Sequence, residues 1–182
     1  DFPAMKSDDF SAEFEISTLE FANVLSKTIW AASNEETRYY LNGVALQYRG
    51  GESVAVAADG HRLARFRFDA PSDFPDVIIP TKAVNEFIRI MSDSEQAAHV
   101  SVNSNKIRVT VGDTTVTSKT IDGKFPDWTR VIPSGHENSV TASSVELKDA
   151  ISRVVVVSSD RTRAVKLSVS GGALGISVQG SD

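Results

Sequence analysis

Asp59 and His61 come closest in this chain to a general acid-base pair, standing two residues apart in Ala57-Ala58-Asp59-Gly60-His61-Arg62-Leu63-Ala64. A carboxylate hydrogen-bonded to an imidazole orients it for proton transfer, so a hydrolase centred on these two is one chemistry the segment allows. The rest of the chain supports it little. Its three histidines, at 61, 99 and 136, are isolated in sequence, and no two share a metal-ligand spacing. There is no cysteine, which excludes disulfides and thiolate metal sites. Nucleophile-elbow, phosphate-loop and dinucleotide fingerprints are missing, and Gly50-Gly51 and Gly171-Gly172 fall where hairpins need turns. No catalytic residue, metal site or cofactor is therefore assigned. The same octapeptide also reads as a rim. Ser53–Val56 and Arg65–Phe68 alternate like strands, and a tight Asp-Gly hairpin between them would present His61, Arg62 and Leu63 at a sheet edge.

The elements that would hold this rim recur. From Thr18 the apolar residues Phe21, Val24, Leu25, Thr28, Ile29 and Ala32 follow the spacing of an amphipathic helix, with Ser17 or Thr18 as its cap. The strand Val77-Ile78-Ile79, a Pro80-Thr81 cap region and the stripe Val84, Phe87, Ile88, Met91 repeat the device. Ser139–Ala142 as a strand, Ser143-Ser144 as a cap and the stripe Leu147, Ala150, Ile151, Val154 repeat it again. Thr18, Thr81 and Ser144 stand 63 residues apart, a period that marks a repeated supersecondary unit of strand, helix and three strands. Two such units would set two helices on one side of antiparallel sheet, an α+β arrangement. The third copy stops after its second hairpin strand, and the chain begins without Met, so it reads as a fragment.

Hydrophobic residues make up 41% and charged residues 24% of the 182, an ordinary globular composition, and no apolar run approaches membrane-spanning length. No membrane partner is expected, and absence of cysteine is compatible with the cytoplasm. A net charge of −5 argues against holding nucleic acid by overall positive charge.

The octapeptide resembles the Ala-Thr-Asp-Gly-His-Arg-Leu-Ala signature of the bacterial DNA polymerase III beta subunits, the replication sliding clamps, departing from it at Ala58. Arg38-Tyr39-Tyr40-Leu41-Asn42-Gly43, Val77-Ile78-Ile79-Pro80 with Lys82, and Asp122–Trp128 with Arg130-Val131-Ile132-Pro133 resemble the same family, in the same order. The resemblance implies a DNA clamp fold, with residues 1–12 a linker from a missing first domain, 13–130 a complete middle domain, and 131–182 a linker and the truncated first half of the last domain. It also implies a non-catalytic processivity factor. The full-length chain would form a ring-shaped homodimer around double-stranded DNA without sequence preference. Its partners would be the polymerase III alpha subunit, the clamp loader, and other polymerases and repair proteins carrying short linear motifs. Carried over residue by residue, the peptide groove would use Leu41, Gly60, His61, Arg62, Leu63, Pro126, Arg130 and Val131. DNA would face Lys27, Tyr39, Tyr40, Lys82, Arg89, Lys148 and Arg153. A repeat-built binding scaffold without a DNA role is the reading from another class.

Overall fold

The computed structural model describes residues 9–70, 73–92, 94–135, 137–158 and 164–178. His136 and most of the opening linker lie outside the described residues. The chain divides into two compact units between Asp127 and Trp128.

In the first unit β1 (Ala12–Ser17) leads into α1 (Thr18–Ile29), then β2 (Gly43–Arg49), β3 (Glu52–Ala58) and β4 (Leu63–Phe68). The second repeat supplies β5 (Val77–Pro80), α2 (Thr81–Met91), β6 (Ala97–Val102), β7 (Lys106–Val111) and β8 (Thr114–Lys119). In α1 the Ser17 hydroxyl accepts from the Glu20 amide at 3.5 Å, and Phe21, Val24, Leu25 and Thr28 are buried as the spacing predicts. The buried Thr28 hydroxyl is satisfied within the helix, donating to Val24 O at 2.9 Å and Leu25 O at 3.1 Å. The expected cap of α2 is different. Pro80 caps it without a side-chain bond, and Thr81 is turned elsewhere: its amide and hydroxyl both donate to Asn42 O, at 3.2 and 2.9 Å. The start of α2 is thereby tied to the entry of β2.

The strands of this unit form two antiparallel sheets, ordered β1-β6-β7-β8 and β4-β3-β2-β5, rather than one. The physical reason is an exchange. The leading strand of the first repeat, β1, pairs with β6 of the second, while β5, leading the second, pairs with β2 of the first. Neither repeat completes its own sheet. The two helices pack on each other and against the sheets, and Phe21, Val24, Leu25, Val84 and Phe87 are wholly buried. An aromatic series joins the sheets across the core: Phe14 of β1 lies 5.7 Å from Phe74, Phe74 6.3 Å from Phe68 of β4, and Phe68 6.3 Å from Phe21.

A second apolar layer covers part of the other face of the β4-β3-β2-β5 sheet. Ala45, Val56 and Ile78 are cross-strand neighbours that are buried yet lie outside the central core. The segment after β8 covers them: Ile121 N donates to Ile78 O at 2.8 Å, and Phe125 is buried. A recess of about 110 Å³ remains here, lined among others by Gln47, Asp76 and Lys124. The Asp76 carboxylate accepts from Gln47 at 3.2 Å and from Arg49.

The second unit holds a single-turn 3-10 helix (Trp128–Arg130), α3 (Ser144–Val155), and a hairpin of β9 (Lys166–Ser170) and β10 (Ala173–Ser177). The Ser143 hydroxyl caps α3, accepting from the Glu146 amide at 3.4 Å, so all three helices start at the expected 63-residue interval. Ser139–Ala142 is not a strand, contrary to the repeat pattern. In the first unit such leading strands find their partners only in the other repeat, and the described residues of the second unit contain no equivalent partner. For the same reason the apolar stripe of α3 is only half-buried. Among the described residues no helix is long and apolar enough to cross a membrane.

Candidate functional site

The last residue pair of the β3–β4 hairpin is Ala58 with Leu63, so Asp59–Arg62 form a four-residue loop and not the tight Asp-Gly turn expected from sequence. The Asp59 side chain accounts for the difference. Its Oδ1 accepts from the amides of His61 at 2.9 Å and Arg62 at 3.0 Å, its Oδ2 accepts from Arg62 Nε at 2.9 Å, and its own amide donates to Arg62 O at 3.3 Å. A carboxylate that folds two amides over itself holds a wider loop than a backbone turn would. Gly60 makes it possible: its φ is +91°, and a Cβ there would come within 2.5 Å of Arg38 Nη1. Arg38 is itself paired with Glu35, through Nε at 2.9 Å and Nη2 at 2.6 Å.

This arrangement removes the Asp59–His61 dyad. The Asp59 oxygens accept from two backbone amides and a guanidinium, not from the imidazole. Those amides first, and the Arg62 side chain after them, pull the Asp59 carboxyl down from 3.8 to about 2. A carboxyl depressed on folding stabilises the loop fully above its unfolded value, and the contribution disappears as pH falls through the folded one. The side-chain carboxyl carbon of Asp59, followed by NMR, should therefore titrate near pH 2. A midpoint near 3.8 would show the loop hydrogen bonds absent in solution.

Six of the expected groove residues belong to the first unit, four of them on or beside this loop. Gly60, His61 and Arg62 are exposed on it, and Leu63, half-buried, opens β4. Leu41 ends the 3-10 helix Glu36–Leu41 and is 5% exposed, so any apolar surface it adds is the edge of a nearly buried side chain. Pro126 is exposed just beyond the buried Phe125. Arg130 and Val131 belong to the second unit, where Arg130 ends the 3-10 turn, Val131 N donates to Trp128 O at 3.2 Å, and the Val131 side chain is exposed.

The residues expected to face DNA are all surface groups. Lys27 is exposed in the last turn of α1, and Lys82 and Arg89 on α2, where Arg89 pairs with Glu86 at 2.8 Å. Lys148 and Arg153 are exposed on α3. The exposed Tyr39 and half-buried Tyr40 meet edge to face at 5.7 Å, backed by Gly123, where a Cβ would stand 3.0 Å from Tyr40 Cβ. Tyr39 and Lys82, distant in sequence, line one open cleft of about 490 Å³ with Ser33, Asn34 and Asn42.

Two residues next to the loop escaped sequence reasoning. Arg38, which opens the Arg-Tyr-Tyr-Leu segment, backs Gly60. Trp30, the C-cap of α1, is 53% exposed, and the Arg62 guanidinium lies 5.4 Å from its ring centroid. The available signal was a tryptophan off the apolar stripe at the end of a helix.

Residues 15–127 match the family described as DNA polymerase III beta subunit, central domain, and residues 129–182 match its C-terminal domain. The chain is 37% identical over 179 residues to a beta sliding clamp of Pseudomonas aeruginosa and 39% identical over 186 residues to one of Caulobacter vibrioides. These alignments cover 97% and 98% of this chain but 49% and 50% of the relatives, so the chain spans about half their length. Among solved structures, the DNA polymerase III subunit beta from Pseudomonas aeruginosa matches with a TM-score of 0.90 at 36% identity, covering 97% of this chain and 49% of that one. A sliding clamp from Bartonella birtlesii, solved bound to griselimycin, matches with a TM-score of 0.89 at 38% identity over 96% and 49% of the two chains. With both family domains matched in order and the same fold found at this identity, the chain belongs to the DNA polymerase III beta subunit family, the beta sliding clamps.

Proposed function

We propose that this chain is the central domain, residues 13–130, and the opening part of the last domain, residues 131–182, of a replication sliding clamp. The whole protein acts without catalysis and without a cofactor. As a ring-shaped homodimer in the cytoplasm it encircles duplex DNA and tethers the polymerase III alpha subunit, the clamp loader, and other polymerases and repair proteins. Lys27, Tyr39, Tyr40, Lys82, Arg89, Lys148 and Arg153 face the DNA. Sparse charges of both signs suit a surface that follows phosphates without reading bases. Short linear motifs dock in a groove formed by Leu41, Gly60, His61, Arg62, Leu63, Pro126, Arg130 and Val131.

The Asp59-anchored loop carries this reading. Its exposed Asp59 carboxylate takes the Arg62 amide and Nε and so holds an exposed Arg62 beside Leu63, a donor next to an apolar contact, which is what an extended peptide with apolar anchors needs. The test is a fluorescence-anisotropy titration of a labelled Gln-Leu-Phe-type peptide against this chain and the full-length protein. Saturable binding is expected, weakened about tenfold by Arg62→Ala, in line with the loss of one charge-assisted hydrogen bond. Absence of binding by the full-length protein would overturn the groove assignment.

A further inference from the structure

We propose that Trp30 is a positioning residue for Arg62: its indole face fixes the plane of the guanidinium so that the two Nη groups point at a docked peptide. The inference rests on the groove reading above and adds to it a residue from a different element.

An arginine side chain is long and freely rotating, and one hydrogen bond does not set the orientation of its planar head. Asp59 Oδ2 takes only Nε, at 2.9 Å, which leaves rotation of the guanidinium about that contact unspecified. Trp30 supplies the missing constraint. The Arg62 Cζ lies 5.4 Å from the ring centroid, within the range at which a cation is attracted to an aromatic face. The indole is itself held, since Nε1–H donates to Lys27 O at 2.8 Å, and its backbone N–H donates to Thr28 O as the C-cap of α1. A series of contacts therefore runs from the last turn of α1 through Trp30 and Arg62 to Asp59. α1 packs directly on β3 and β4, the two strands that carry the loop, so both ends of this series stand on the same rigid body.

Exposure supports a role other than packing. Trp30 is 53% exposed and lies outside the core cluster, so the core does not require its large ring. The Arg62 side chain remains 55% exposed despite its two partners. With Nε occupied and one face on the indole, the Nη pair of this half-exposed side chain is left for two acceptor oxygens, either a carboxylate or successive main-chain carbonyls of an extended peptide.

The test compares wild type with Trp30→Ala, Trp30→Phe, Arg62→Ala and the double variant Trp30→Ala/Arg62→Ala. On the free protein, the Arg62 Hδ and Hε resonances should be ring-current shifted in wild type, less so in Trp30→Phe, and unshifted in Trp30→Ala. In the peptide titration on the full-length protein, Trp30→Ala should weaken binding about fivefold and Trp30→Phe less, the scale of a partly exposed cation–π contact. The double variant should be no weaker than Arg62→Ala alone, because the indole acts only through the guanidinium. Unshifted wild-type Arg62 resonances, or additive losses in the double variant, would overturn the proposal. If the shift is present but wild type does not bind the peptide, the groove reading fails, and with it the ligand-facing role of Trp30.

Discussion

Replacing Gly43 with alanine should strongly destabilise the first unit. A Cβ at Gly43 would run into Ile79 O and stand 2.9 Å from Ile79 C and 3.3 Å from Pro80 Cα. All three are backbone atoms of β5, so no side-chain rotation relieves the overlap. Gly43 pairs with Pro80 and Val44 with Ile79, and both Val44 and Ile79 are wholly buried. The adjacent Asn42 carbonyl accepts from the amide and hydroxyl of Thr81, which fixes the same two chains from the other side. Relief would mean parting β2 from β5 and exposing core on both. A loss of about 3 kcal/mol, the upper end for overpacking, would take much of the stability of an ordinary domain. In urea denaturation it should lower the midpoint by about 1.5 M, for a slope of about 2 kcal/mol per M. An unchanged midpoint would mean that β2 and β5 do not approach this closely in solution.

Phe21→Ala should cost about 3–5 kcal/mol, the range for truncating a buried aromatic ring. Phe21 is 0% exposed in α1 and reaches Phe68 of β4 at 6.3 Å, joining the aromatic series that continues through Phe74 to Phe14 of β1. The cavity would open where α1 meets strands of both sheets, and close packing allows little collapse there. Leu19→Ala, at a position 71% exposed two residues earlier on the same helix, should shift stability by no more than about 0.5 kcal/mol. Equal effects from the two substitutions would contradict the helix orientation.

The starts of all three helices were legible because a 63-residue period and the three-and-four spacing of apolar residues depend only on local order. Strand partnership was not. Alternation in Glu13–Ile16 says which side chains face inward but not that Phe14 lies opposite Val100. For the same reason Ser139–Ala142, with an equally strand-like sequence, is not paired as a strand among the described residues. At the candidate site, Gly60, His61, Arg62 and Leu63 could be singled out from one octapeptide. The four-residue loop could not, because an Asp-Gly pair fits both a backbone turn and a carboxylate-held loop. Trp30 stayed hidden because its partner Arg62 lies on another element.

The exchange of leading strands also sets an order of events during synthesis. β1 pairs with β6 across 80 to 90 residues of chain, from Ser17 with Ala97 to Ala12 with Val102. At about 5–20 residues per second, a ribosome finishes β1 roughly 4–17 seconds before the strand that completes it exists. Until then a hydrophobic edge bearing Phe14 and Ile16 has no native partner, and contacts this distant in sequence form slowly. The nascent first repeat thus exposes an unpaired strand that can pair with a neighbouring nascent chain, and its sheets are completed only when the second repeat arrives.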